Sequence, residues 1–324
     1  MITKIVNDYP WIHKPHNWLT SPDLDGIMSA IFLVNFFGGE IVGFYNGRVL
    51  VFAAGYIFSA VADCEIFNSK IPSIGNHMCV PLKEAREELE SDLVNCINPN
   101  LLRNVYMNRS IKKNKNNFAY NNKYPFSTSI MLWAIAEKII GKKIDLKIFS
   151  PVFFTDGMHN ILSNYSYDKN CKDWIIFFNN DSIKKFILKH MHEVTTRTKI
   201  KNNNSIFFEK EINGKAYNSL IKNIKKIQIK KNHKIEYPDW VFYMKDLESL
   251  LIYLHKEMNL YFDKQKWPIL YNKIETKEFF HGEFNKVTQK KMIKIYEDSR
   301  LFSANLSQGS SFQYTLAPEH GWQP

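Results

Sequence analysis

This chain of 324 residues has little cysteine: four residues, with no Cys-x-x-Cys pair and no zinc-finger spacing. Scattered single cysteines are typical of reduced, packed thiols and argue against a disulfide framework or a structural zinc. Long apolar runs are lacking too, since the longest spans about fourteen residues and a membrane helix needs about twenty. The start of the chain turns polar at once, so no leader peptide is predicted. We therefore predict a cytoplasmic protein without a membrane partner.

Acidic and basic residues are separated along the chain. Residues 1–100 carry six Lys/Arg and eleven Asp/Glu, whereas residues 184–234 carry fourteen Lys/Arg and three Glu, an excess equal to the net charge of +11. This separation suits a cation site beside a polyanion track, although a run of lysines is more often a solvated face. The candidate nucleic-acid contacts lie in a basic loop, 103–123, and in the basic segment: Arg103, Arg109, Lys112, Lys113, Lys115, Lys225, Lys226, Lys230 and Lys231.

Predicted strands and helices alternate through the first half of the chain. This pattern predicts an α/β fold with a mainly parallel sheet flanked by helices. A single core seldom grows past about 250–300 residues, so we expect two domains, residues 1–170 and a smaller, basic α+β domain of residues 171–324. The predicted elements that carry the argument are strands at 16–20, 40–45 and 152–155, helices at 26–37 and 130–140, and a second helix-like stretch before Val61.

Four aspartates and one histidine follow predicted strands of the first half. Asp23 and Asp25 lie in an Asp-Leu-Asp-Gly turn, Asp63 follows Val-Ala, His77 ends Gly-Asn-His, and Asp156 lies in Phe-Thr-Asp-Gly. A parallel sheet ends its strands at one edge, which brings such residues together. A single Asp-x-Asp turn is common for local reasons, but several carboxylates at one point suit a hard divalent cation. The set as a whole therefore predicts a metal site.

The order of these motifs resembles that of the DHH phosphoesterase superfamily, which includes RecJ-like exonucleases, oligoribonucleases, cyclic-dinucleotide phosphodiesterases and family II pyrophosphatases. The resemblance covers roughly residues 15–165. It rests on Asp-Leu-Asp-Gly at 23–26, Val-Ala-Asp at 61–63, Gly-Asn-His at 75–77, Thr-Asp-Gly at 155–157, and Ser-Thr at 127–128 ahead of a helix. The glycine-rich signature of the family's substrate domain does not occur in the second half.

The resemblance implies a site that holds two Mn²⁺ or Mg²⁺ ions. Asp23 and Asp25 would hold the ions, Asp63 would bridge them, Asp156 would complete one site, and His77 would be a ligand or contact the scissile phosphate. In such two-metal catalysis a bridging water attacks phosphorus while the ions absorb charge on the leaving oxygen. The implied catalytic residues are Asp63, Asn76 and His77.

Asn76 stands where the family places a metal-binding imidazole. Three interpretations follow from this difference: a variant site that still turns over, a degenerate binding domain, or a site disabled by a His-to-Asn change. The leading hypothesis is a metal-dependent phosphodiesterase that cleaves nucleic acid or short oligonucleotides. The alternatives are a non-catalytic domain that binds nucleic acid or protein, and a pyrophosphate or cyclic-nucleotide hydrolase. A protein partner or a homodimer is a further candidate.

Overall fold

A computed structural model describes residues 1–106, 108–109, 118–119, 122–145, 151–162, 164–197, 244–284, 288–306 and 311–319. Twelve strands are present in these ranges, and seven of them form one mixed sheet. The strands are β1 (His16–Thr20), β2 (Gly39–Tyr45), β3 (Val49–Ala53), β4 (Ala60–Ala62), β5 (Ser73–Ile74), β6 (Cys96–Ile97), β7 (Asn108–Arg109), β8 (Phe118–Ala119), β9 (Ile274–Glu278), β10 (Phe280–Phe284), β11 (Leu301–Leu306) and β12 (Phe312–Leu316).

The large sheet has the strand order β6-β5-β4-β1-β2-β3-β9. The first five strands in this order are parallel to one another, whereas β3 pairs antiparallel with β2 and β9 pairs antiparallel with β3. The α/β character and the mostly parallel sheet are therefore confirmed. β9 comes from the second half of the chain, so that half contributes a strand to the first sheet. The division at residue 170 stays a prediction.

Helices flank the sheet. α2 is buried along nearly its whole length and α5 is buried over its first ten residues, so both belong to the core. A π-helical turn, Leu33–Phe37, extends α2 to the end predicted for it. The helices are α1 (Ile2–Asp8), α2 (Leu24–Phe32), α3 (Lys83–Glu88), α4 (Pro99–Leu102), α5 (Thr128–Ile140), α6 (Met158–Leu162), α7 (Asp168–Phe178), α8 (Asp181–Arg197), α9 (Met244–Glu257) and α10 (Gln289–Tyr296).

Two sequence-based predictions of local structure are wrong. Residues 152–155 are not a strand, because they lie in a 3-10 helical segment, Pro151–Gly157, which has a kink at Thr155 and Asp156. Proline suits the first position of a helix, where its missing N–H leaves no bond unmade, and this segment packs against α2 instead of joining the sheet. The stretch before Val61 that was predicted to be helix-like contains a strand, β3. A tight turn at Gly47 connects β2 to β3, and the β-branched and aromatic residues of β3 lie in a strand that pairs with β2.

A small antiparallel sheet, in the order β10-β12-β11, packs beside the large one. Two isolated bridges join β11 to the first half of the chain, Ile66 with Ser303 and Met78 with Leu306. The hydroxyl of Tyr45 at the end of β2 also hydrogen-bonds the Ser303 hydroxyl at 2.9 Å. The small sheet therefore stands next to the carboxyl ends of the parallel strands. Among the helices that the structure describes, none is both long and apolar enough to cross a membrane.

Candidate metal centre

Three neighbouring parallel strands place the predicted motifs at one sheet edge. β5, β4 and β1 are adjacent and parallel, so the residues that follow them meet at their common carboxyl end. The Asp-Leu-Asp turn follows β1, Asp63 follows β4, and Gly75-Asn76-His77 follows β5. Asp156 reaches the same place from the 3-10 helix that packs against α2. The topology thus gathers residues that are up to 133 positions apart, from Asp23 to Asp156.

Three carboxylates form the centre of the site. One oxygen from each of Asp25, Asp63 and Asp156 lies within 4.8 Å of the other two. Asp25 and Asp63 are buried, at 1% and 3% exposure, whereas Asp156 is exposed. Carboxylate oxygens in this arrangement match what Mg²⁺ or Mn²⁺ would accept. Asp23 and His77 lie outside this group of three.

The amino end of α5 holds Asp25. Its Oδ2 accepts the backbone N–H of Thr128 at 2.7 Å, and its Oδ1 accepts the backbone N–H and the hydroxyl of Ser129 at 3.1 and 2.6 Å. The helix dipole favours a negative charge at this end of a helix. Ser127 caps the same helix by accepting the N–H of Ile130 at 3.3 Å. Asp25 is therefore oriented by α5 as well as by its own helix.

Asp63 and Asp156 share an unusual backbone conformation. Both are left-handed, with φ of +59° and +48°, a region that Asp and Asn enter more readily than other non-glycine residues. The carboxylate of Asp63 accepts hydroxyl hydrogens from Ser21 at 2.5 Å and Thr128 at 2.8 Å. These two bonds orient the Asp63 carboxylate. Backbone strain of this kind occurs where a side chain must be aimed at a functional site.

The electrostatics of the cluster favour a cation. Burial raises the pKa of Asp25 to about 8, and the charge of Asp156 acts in the same direction. Burial also raises the pKa of Asp63 well above its usual range, with the carboxylates of Asp25 and Asp23 adding to the effect. Carboxylates that repel one another in a low dielectric resist losing their protons. A bound divalent cation would reverse this cost by neutralising the converging charges.

Asp23 and His77 stand beside the three carboxylates. Asp23 caps α2, because its Oδ1 accepts the N–H of Gly26 at 2.9 Å, and it also accepts the Ser21 hydroxyl at 2.9 Å. His77 places its Nδ1 3.8 Å from the Oε2 of Glu65. Glu65 is buried and accepts the backbone N–H of His77 at 2.8 Å. Local capping and a buried glutamate therefore hold these two side chains in place.

Asn76 contacts Asp156 directly. Its Nδ2 donates to the Oδ2 of Asp156 and, at 3.0 Å, to the backbone carbonyl of Phe126. Its Oδ1 is buried and has no hydrogen-bond partner among the described residues. The amide thus presents its hydrogens, and not its oxygen, to the carboxylate.

A cavity of about 250 Å³ opens beside the carboxylates. One wall carries Asp23, Asp63 and His77, and the other carries His281 and Asn305 of the small sheet. The Nδ1 of His281 lies 3.2 Å from the carbonyl of Gly47, which can only accept, so Nδ1 carries the proton. The small sheet therefore completes the cavity with polar side chains.

Most of the predicted basic contacts lie outside the described residues. This applies to Lys112, Lys113, Lys115, Lys225, Lys226, Lys230 and Lys231, and for Arg109 only the backbone is described. Arg103 is described, and its guanidinium stacks over the rings of Trp174 and Phe177, with centroids at 4.7 and 5.3 Å. In these cation–π contacts the positive charge of Arg103 interacts with aromatic rings of the protein itself. Its role in nucleic-acid binding stays a prediction.

Several residues of the site carry no clear signal in the sequence. Ser21 and Ser129 are hydroxyls that bond Asp63 and Asp25, and only their nearness to the predicted motifs could have pointed to them. Glu65 follows Asp63 by two positions, but a lone glutamate is too common to single out. His281 comes from the other half of the chain, where no motif marks it.

Comparison with known proteins adds no assignment. No protein-family model matches this chain, and neither a curated protein nor a solved structure matches it. The resemblance to the DHH phosphoesterases therefore stays a prediction that rests on the motifs.

Proposed function

We propose that this protein is a divalent-cation-dependent phosphoesterase that cleaves phosphodiester bonds in nucleic acid or short oligonucleotides. One observation carries the proposal: oxygens of Asp25, Asp63 and Asp156 lie within 4.8 Å of one another at the carboxyl edge of a parallel sheet. Ligands of α/β sheets bind at this edge. The DHH-type layout of the first half is part of the same proposal, which is supported by the position of Asp25, Asp63 and Asp156 at this edge.

The donor set fits Mg²⁺ or Mn²⁺, since it is made of oxygens and contains no thiolate. Bound there, such a cation supplies an activated water and stabilises charge on the phosphoryl oxygens. The chain itself orients the reaction: α5 and Ser21 hold the carboxylates, and His77 borders the cavity from the side of Glu65. His77 is therefore the residue that we assign to contact with the scissile phosphate.

The cavity limits what can enter. Its volume of about 250 Å³ is slightly below the usual range of small-molecule sites, and residues of the small sheet line it opposite Asp23, Asp63 and His77. A chain end or a short oligonucleotide fits such a space better than the middle of a long strand. The basic residues predicted from the sequence would bind the rest of the polyanion outside the cavity.

One observation favours a second function. The Asn76 amide turns its hydrogens toward Asp156, which suits a hydrogen-bonding clamp better than a metal ligand. A domain that binds nucleic acid or a protein partner without hydrolysis would tolerate this arrangement. The two functions differ in one measurable property, which is turnover in the presence of a divalent cation.

The decisive experiment compares the parent with Asp63→Asn on labelled single strands, dinucleotides and pyrophosphate in Mn²⁺. Asparagine tolerates the left-handed backbone of Asp63 but removes its charge. We expect cleavage of the nucleotide substrates by the parent and a loss of about 100-fold or more in the variant. The matched control is Asp145→Asn, an exposed position that should keep full activity. Cleavage that survives Asp63→Asn, or a parent that cleaves nothing, would contradict the proposal.

A further inference from the structure

We propose that the site takes one divalent cation and that Asn76 excludes a second. The inference deepens the proposed function and rests on it for the identity of the site, which is the group Asp25, Asp63 and Asp156. It departs from the two-ion site that the motif resemblance implies.

The direction of the Asn76 amide is determined by a backbone carbonyl. Nδ2 donates to the oxygen of Phe126 at 3.0 Å, and a carbonyl oxygen can only accept. The NH₂ group must therefore face Phe126, and the same group donates to Asp156. An amide NH₂ offers no lone pair to a metal, whereas a neutral imidazole at this position would offer one. Asn76 thus holds Asp156 as a hydrogen-bond donor and adds no ligand beside it.

Two buried asparagines keep the Asn76 loop in place. Asn100 donates from Nδ2 to the backbone carbonyl of Asn76 at 2.9 Å, and Asn98 donates from Nδ2 to the carbonyl of His77 at 2.8 Å. Asn98 and Asn100 are 0% and 2% exposed. Turning the Asn76 amide over would break its bonds to both Phe126 and Asp156. The donor orientation is therefore built into the fold.

Without a ligand from Asn76, few side chains remain for a second ion. Two-metal sites place their ions about 3.5–4 Å apart, and each ion needs ligands of its own besides a shared carboxylate. Asp23 uses its Oδ1 to cap α2 and His77 turns its Nδ1 toward Glu65, so each offers at most one further atom, Oδ2 or Nε2. Among the described residues, only Asp25, Asp63 and Asp156 bring oxygens within 4.8 Å of one another. Three carboxylates suffice for one ion that completes its shell with water.

The Oδ1 of Asn76 independently indicates a ligand at this place. The side chain is 4% exposed and donates to Asp156, yet its oxygen receives no hydrogen bond from the part of the chain that the structure describes. A buried acceptor without a partner costs about 1–3 kcal/mol, and fixed water usually satisfies such groups. Water on a cation held by Asp156 and its neighbours would supply the missing hydrogen. Asn76 would then interact with the ion through water, as a hydrogen-bond acceptor.

The test counts ions on the full-length chain. After removal of metals, Mn²⁺ is titrated by calorimetry, and the bound ions are examined by electron paramagnetic resonance. We expect one Mn²⁺ per chain with an uncoupled six-line spectrum. Asn76→His adds a lone pair and should bind a second ion, with an exchange-coupled spectrum. Asn76→Ala removes the donor without adding a ligand and should still bind one ion.

The ion stoichiometry and the hydrolysis assay together distinguish this inference from the proposed function. Two ions or a coupled spectrum in the parent overturn the inference and leave the phosphoesterase proposal standing. One ion without any hydrolysis supports the inference and removes the phosphoesterase. A parent that binds no Mn²⁺ at millimolar concentration overturns both. Two ions in Asn76→Ala, or one ion in a folded Asn76→His, would show that the amide is not what excludes the second ion. If Asn76→His does not fold, the parent and Asn76→Ala still decide the stoichiometry.

Discussion

Replacing Asp25 by asparagine should make the stability of the metal-free protein fall less than that of the parent as the pH rises. Burial raises the pKa of Asp25 from its usual value near 3.8 to about 8, and the charges of Asp156 and Asp23 raise it in the same direction. A carboxyl whose pKa is higher in the folded state binds its proton more tightly there. Its contribution to stability is therefore complete below pH 3.8 and is lost as the pH rises through about 8.

The size of the effect follows from the shift. Each pKa unit corresponds to about 1.4 kcal/mol, so the folded state loses about 5 kcal/mol between pH 4 and pH 8. Asparagine is neutral throughout this range, and its NH₂ would oppose an N–H donor of Thr128 or Ser129, a cost that is the same at every pH. The stability difference between the two side chains therefore changes with pH only through the charge of Asp25. Between pH 5 and pH 8 the stability difference should move in favour of the variant by roughly 3–4 kcal/mol.

Urea unfolding in EDTA at pH 5 and pH 8 measures this change, with Asp145→Asn as the matched exposed control. Addition of Mn²⁺ at pH 8 should stabilise the parent much more than Asp25→Asn, because the ion then neutralises the repelling carboxylates. A stability difference that does not change between the two pH values would refute the electrostatic reasoning. An equal change in Asp145→Asn would show that the effect is not specific to the cluster.

Three further predictions concern residues that hold the fold together. Burial lowers the pKa of His255 to about 4, so the parent should lose about 3 kcal/mol of stability as the pH falls from 6.5 to 4. In acid denaturation, the stability of His255→Leu should not show this dependence on pH. Gly75→Ala would place a Cβ 2.3 Å from the Oε1 of buried Glu65, and thermal unfolding should show a loss of about 1–3 kcal/mol. Glu137→Gln would turn an NH₂ group toward another donor, either Asn180 Nδ2 or the N–H of Ile144. Chemical denaturation should then show a loss of about 1–3 kcal/mol in the free energy of unfolding. An unchanged free energy of unfolding would contradict the acceptor role of this carboxylate.

Local chemistry determined much of the first half from the sequence alone. β1 matches the predicted strand 16–20, and α5 begins after Ser127 and ends at Gly141, as capping predicts. These features depend on residues close together in the chain: a hydroxyl that accepts a backbone N–H, and a glycine at φ +67° that stops the helix. The placement of Asp63 after a strand follows from the same short-range pattern.

The tertiary structure alone decided how the site is composed. Asp156 reaches the cluster from a kink in a 3-10 helical segment and not from a strand, because its segment packs on α2. Asp23 caps a helix with its Oδ1, and a hydrogen bond to the carbonyl of Phe126, 50 positions away, orients the Asn76 amide. β9 crosses from the second half of the chain to pair with β3. The sequence alone indicated which carboxylates are candidate ligands. Only long-range packing determines which of them lie close together and which way the Asn76 amide faces.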